Sequence, residues 1–352
     1  MNRRLLTSVD VLAVAAAVVS LNLVPASGQT RPAGTRAAGT RTNNTAKPYA
    51  PPRTPDGQPD LQGFWTNSTY TPLERPKDVA KEFYTPAEAA EAEKKAAARE
   101  GELTTPGTVA DVHYDFTQFG LDRSQATLAR NLRTSLILNP ENGRLPPLSA
   151  EGQKRAAERA EIAKRVGRWD SAESNQLDDR CLIMAGAGPP MLNAAYNANY
   201  QIVQAPGQVM ILTEMIHDVR IIPLDGRPQP HRNLRQWMGV SRGRWEGNTL
   251  VVETTNFNGK NPLEGSSENM RVTERFTRVA DDTIQYTFTV EDPATWTRAW
   301  TAEMSMRATK GPLFEHACHE GNYGLYNTLV GARLEEKKAA EAAARGETNR
   351  QK

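Results

Sequence analysis

From Tyr200 to Met306 the chain repeats one pattern: a short β-prone run, a turn signal, and another run. Tyr200 to Gln204 and Val209 to Glu214 flank Ala205-Pro206-Gly207-Gln208, and Val219 to Pro223 follows, ending at Asp225-Gly226. Met270 to Val279 and Ile284 to Val290 flank Ala280-Asp281-Asp282, and Trp296 to Met306 closes the series. Between these groups, WMGVSRGRWEGNTLVVETTNF from Trp237 to Phe257 reads as two strands joined at Glu246-Gly247-Asn248, since a Gly-Asn pair between alternating runs marks a hairpin. About eight strands joined by short turns predict an antiparallel meander. The expected fold is mainly β with a helical N-terminal part, either a lipocalin-like barrel or a strongly curved sheet. A barrel of about eight strands can hold one small ligand.

Strand side chains alternate between faces. Trp237, Gly239, Ser241, Gly243 and Trp245 therefore share one face, with a gap between the two indoles. That face is expected to line a cavity, with Tyr286 and Trp300 adding aromatic wall. Trp237, Ser241, Trp245, Tyr286 and Trp300 are the candidate ligand-binding residues. The run Gly239-Val240-Ser241-Arg242-Gly243 fits G-x-S-x-G, but a nucleophile elbow needs a helix after the serine. A second strand follows instead. These glycines are better read as relieving crowding or permitting a bulge.

Three residues are candidate acid–base groups. Glu274 shares parity with Val272 and Phe276, and Glu253 with Val251 and Phe257, so both are expected to point inward. A buried carboxylate needs a partner or a ligand; Arg220, Arg235 and Arg298 are the available cations. His217, beside Asp218 at a strand turn, is the third, because imidazole titrates near neutral pH. The bland alternatives are a salt bridge for the acids and a structural role for the histidine.

His316, His319 and Glu320 in HACHEGNY are candidate metal ligands. The segment lacks the second histidine of H-E-x-x-H. Cys181 and Cys318 are the only two cysteines, and an exported chain predicts a disulfide between them, which would remove Cys318 as a ligand. No cofactor is expected.

Residues 1–28 have the layout of a secretory signal: Arg3 and Arg4, an apolar run from Val11 to Val24, then Ala26-Ser27-Gly28. The run is shorter than the roughly 20 residues of a spanning helix, and no other segment is apolar enough to span. A periplasmic or extracellular protein is the expectation. Residues 29–59, rich in Thr, Ala, Pro and Arg, read as a disordered linker. Residues 60–180 form a helical and irregular wrapping region, with helices opened by Thr85-Pro86-Ala87-Glu88 and by Ser149. Residues 181–333 form the antiparallel β domain and 334–352 a charged helical tail. A net charge of +2 gives no electrostatic footprint for nucleic acid or an anionic membrane.

Several segments together resemble a widespread family of secreted bacterial proteins: PDGQPDLQGFWTN from Pro55, RTSLILNPENGRLPPL from Arg133, DDRCLIMAGAGPPM from Asp178, EMIHDVRIIPLDGRP from Glu214, RQWMGVSRGRWEGNTLVVETTNF from Arg235, EDPATWTRAWT from Glu291 and HACHEGNY from His316. The resemblance implies secretion and one unit spanning the helical front and the β-rich back. It assigns no catalytic residue. The leading functional expectation is a secreted protein that binds a small, partly apolar ligand in a barrel pocket. The alternatives are a secreted hydrolase, lyase or isomerase using His217, Glu253 or Glu274, and a structural or interaction protein of the cell envelope.

Overall fold

A computed structural model describes residues 49–102, 129–184, 186–192, 198–260 and 262–345. The signal segment 1–28, the linker as far as residue 48, residues 103–128 of the wrapping region and the end of the tail lie outside the described residues.

Ten strands form one antiparallel sheet: β1 (Gly63–Thr66), β2 (Ile137–Asn139), β3 (Asn199–Ala205), β4 (Gln208–Thr213), β5 (Val219–Pro223), β6 (Val240–Glu246), β7 (Thr249–Thr255), β8 (Arg271–Ala280), β9 (Thr283–Glu291) and β10 (Trp300–Ala308). Their order is β5-β4-β3-β1-β10-β9-β8-β7-β6, with β2 also paired to β10. The sheet curls into a nearly closed barrel, leaving one seam without a hydrogen-bonded ladder between β5 and β6. The runs β3–β5 and β6–β10 are the expected meanders. In sequence the two runs join from β5 to β6, which face each other across the seam, while β1 from the N-terminal part is inserted between β3 and β10, the outer ends of the series. The region expected only to wrap the barrel thus supplies two of its strands.

Turn chemistry sets the hairpins. Ala205 pairs with Gln208 across Pro206-Gly207, with Gly207 at φ +77°, as a Pro-Gly turn requires. Glu246 pairs with Thr249 across Gly247-Asn248, with Gly247 at φ +61°. In β8, β9 and β10 buried and half-exposed residues alternate. Phe276 faces Tyr286 with ring centroids 4.8 Å apart. Phe288 meets Trp300 edge-on at 5.7 Å, and Trp300 meets Trp296 the same way. Ala302 stands opposite Phe288, a small residue making room for a large one.

Three helices lie outside this wall: α1 (Pro86–Glu102), α2 (Ala150–Ala163) and α3 (Tyr323–Ala344). The capping box opening α1 is made: Thr85 N donates to Glu88 Oε2 at 2.8 Å and Glu88 N to Thr85 Oγ1 at 3.3 Å. Ser149 caps α2 through Gly152 N. Gly152 is buried, and a Cβ there would stand 2.4 Å from the Thr295 carbonyl oxygen. The tail helix starts inside the segment expected to be β.

Residues 49–59 correct the linker expectation. They are ordered, with Thr54 buried and Arg53 bridged to Pro59. Their few apolar groups are compensated by docking on the barrel's turns: Tyr49 Oη donates to Asp281 and Arg53 Nη2 to Asn248 Oδ1, both at 2.9 Å. Cys181 and Cys318 form the expected disulfide, 137 residues apart in sequence. Among the described residues no helix is long and apolar enough to cross a membrane.

Candidate functional site

The barrel is not hollow. Trp65, Tyr200, Phe276, Tyr286, Phe288 and Trp300 are fully buried in one continuous core with aliphatic residues of β3, β4, β5, β7, β8 and β9. The expected gap between Trp237 and Trp245 is filled from across the seam. A Cβ on Gly243 would meet Leu224 Cδ2 at 2.6 Å and Ile222 Cγ2 at 2.8 Å. The two closing strands therefore touch through side chains at a bare backbone.

Inside the core sits a polar knot. Arg220, on the seam strand β5, donates to both oxygens of Glu274 on β8, at 3.1 and 2.5 Å, and its Nη2 lies 3.4 Å from Ser241 Oγ on β6. Ser241 shares a hydrogen bond with Thr254 at 2.9 Å. Tyr286 Oη donates to Glu274 Oε1 at 2.8 Å and accepts from Met191 N at 2.9 Å. Glu274 has no exposure and Arg220 only 4%. A buried charge is tolerated only when paired and hydrogen-bonded, and here both conditions hold. Burial, then the charge of Glu274, pushes the Tyr286 hydroxyl well above the usual tyrosine range. Burial does the same to Tyr200.

The loop Gly186–Met191 plugs one end of the barrel over this knot. Gly188 has φ +131°, and a Cβ there would lie 3.4 Å from Arg220 Nη1, so the loop rests directly on the guanidinium. Asn67 Nδ2 ties the loop through the Met191 carbonyl at 3.1 Å. On its outer side the loop borders an opening of about 170 Å³. Pro189, Pro190 and Leu192 line it together with Trp237, Phe257, Met270 and Pro262 to Glu264. Trp237 reaches this mouth because the chain turns at Gly239, φ +65°, before β6 begins. The single shared face expected from Trp237 to Trp245 is broken there. The turn is anchored by Asn256 Nδ2, which donates to the carbonyls of Pro230, His231 and Leu234, and by Arg235, which donates to those of Phe257 and Glu268.

Of the candidate ligand-binding residues, only Trp237 lines this opening. Ser241, Tyr286 and Trp300 are core residues, and Trp245 packs half-buried against the core. The acid–base candidates do not converge. Glu274 is locked inside. Glu253 takes the opposite parity from Val252 and Thr254, so it stands on the outer face, where Arg271 lies 3.7 Å away; this corrects its inward assignment. Its parity mates misled, because Val251 is buried on the outer face under neighbouring side chains. His217 is exposed at φ +46°, its Nδ1 3.2 Å from the His316 carbonyl oxygen. His316, His319 and Glu320 do not gather: among the described residues no group of three or more His, Cys, Asp or Glu is placed to hold a metal.

A larger groove of about 1160 Å³ runs beside α1. Several of its charged side chains pair with one another, Arg130 with Glu93 and Lys95 with Glu91. The loop residues Gly186 to Leu192 and the segment Pro262 to Glu264 were not singled out as a site by sequence reasoning. Their one signal was the Gly-Pro-rich string AGAGPPM, whose function as a plug depends on what lies beneath it.

Fold and site define the class: a nearly closed, disulfide-linked antiparallel β-barrel with a filled polar centre and a shallow aromatic mouth. Neither protein-family models nor characterised proteins return a match to this chain.

Proposed function

We propose that this is a secreted binding protein that seats a small, largely apolar group in the barrel mouth, between Trp237 and the Gly188–Pro190 loop. The observation carrying this reading is the separation of roles among the aromatics. Trp300, Tyr286, Phe276 and Phe288 are spent on the core, whereas Trp237 is half-exposed beside an opening lined mostly by apolar side chains and edged with polar surface. Apolar concavities with one or two polar groups are the usual form of small-ligand sites, though at about 300–1,000 Å³ for drug-sized molecules. This opening suits a single ring or a compact head group. The disulfide supports export, since such bonds persist in oxidising compartments.

Intrinsic fluorescence and calorimetry with single-ring aromatic compounds test the reading. Binding is expected, and Trp237→Ala is expected to weaken it by about 10-fold, a loss of about 1.4 kcal/mol. Absence of binding by every ring compound, or equal binding by the variant, would sink it. Cell fractionation tests export: protein in the periplasm or medium with oxidised cysteines is expected.

A further inference from the structure

We propose that the mouth is a site for a small organic cation, an ammonium group on a compact apolar body, with Glu264 as its counter-charge and Trp237 as its aromatic wall. This rests on the mouth reading above and adds a charge to its ligand.

Among the described residues Glu264 is the one charged residue lining the opening. Among the described residues its carboxylate has neither a hydrogen-bond partner nor an ion pair. The acids around it are engaged: Glu74 accepts from Leu145 N at 2.8 Å, and Glu268 lies 3.2 Å from Arg235. The nearby cations are not its partners. Arg235 is held by Glu268 and two carbonyls, and Arg220 by Glu274. Arg159 approaches the backbone of Gly265 but forms no ion pair with Glu264. Glu264 also sits at φ +46°, a left-handed conformation unfavourable for a glutamate and commonly kept where function requires it. Glu264 is exposed at this edge of the opening, and crowding by neighbouring atoms, then the charge of Glu74, raises its carboxyl pKa. Its negative charge has no partner within the described protein and stays open to a cation entering the mouth.

The rest of the lining suits the same ligand. Indole and phenyl faces attract cations within about 6 Å of the ring, and Trp237 and Phe257 are both present. The proline rings, Leu192 and Met270 supply contact for methyl or methylene groups. Among the described residues no cationic side chain lines the opening, which disfavours phosphate or carboxylate ligands.

The test uses the full mature chain with choline, tetramethylammonium and the uncharged isostere of choline in which carbon replaces nitrogen. Calorimetry and tryptophan fluorescence report binding. The cations are expected to bind at least about 10-fold more tightly than the isostere, within the range of an ion pair plus cation–π contact. Glu264→Gln should abolish that preference, bringing the affinity for the cations down to that for the isostere. Glu264→Asn, better suited to the left-handed backbone, should behave likewise, and melting curves of both variants report their folding. Equal binding of cation and isostere, or undiminished cation preference in folded Glu264 variants, overturns the charge assignment. If uncharged ring compounds bind and the cations do not, the charge assignment falls and the mouth reading stands. If none binds, both fall.

Discussion

Arg220 and Glu274 do at residue scale what the backbone leaves undone: they tie strand β5 to the far side of a seam that has no ladder. Removing one partner strands a buried charge. Arg220→Met is expected to cost about 3–5 kcal/mol, whereas Arg220→Met with Glu274→Leu should recover most of that loss. Urea midpoints of the single and double variants decide this; a double variant as unstable as the single one would deny the pair its isolated role. Tyr286 gives a second expectation. Its hydroxyl, like that of Tyr200, has a folded pKa above the unfolded one. Their contribution is therefore intact below the unfolded pKa, near pH 10, and is lost as pH rises through the window above it. Each tyrosine lowers stability there by about 1.4 kcal/mol per pH unit. Tyr286→Phe should fall less steeply than wild type above about pH 10, with parallel behaviour at pH 7 to 9. Part of this was legible. Alternation marked Glu274 as inward and left Arg220 among three possible partners; only the curl of the sheet chose it. The same rule misplaced Glu253, because Val251 is buried on the outer face.

At the scale of elements, local chemistry was a good guide. Turn residues bounded β3, β4, β8 and β9 close to their observed ends, and Thr85 and Ser149 cap the helices expected of them. How an element docks was less visible. Helix α2 rests on the 292–295 turn through Gly152, with Ser149 Oγ donating to Ala294 O at 2.8 Å and Arg155 Nη2 to Thr295 Oγ1 at 2.6 Å. Alanine is a better helix former than glycine by about 1 kcal/mol. Gly152→Ala is nevertheless expected to destabilise the protein by about 1–3 kcal/mol, because its methyl meets a carbonyl that cannot retreat. A raised denaturation midpoint in that variant would mean the helix can pivot away from the barrel.

The whole molecule depends on how the seam closes. Gly243 admits Ile222 and Leu224 against β6, so side-chain packing replaces the missing ladder. Gly243→Val should cost about 2 kcal/mol or more by overpacking, and Leu224→Ala placed with it should restore part of that. Thermal melts of the two variants check this; identical melting with and without Leu224→Ala would show that the contact does not govern closure.

Periodicity and turn residues alone determined the β-rich class, most strand limits and the helix caps, because each depends on neighbours in sequence; the cysteine pair followed from there being only two cysteines in a chain read as exported. The insertion of β1 between β3 and β10, the burial of Tyr286 and Trp300, the Arg220–Glu274 pairing and the mouth at Trp237 were decided only in three dimensions. Each depends on which distant residues meet once the sheet curls, and two-residue periodicity says which face a side chain takes but not what occupies the space in front of it.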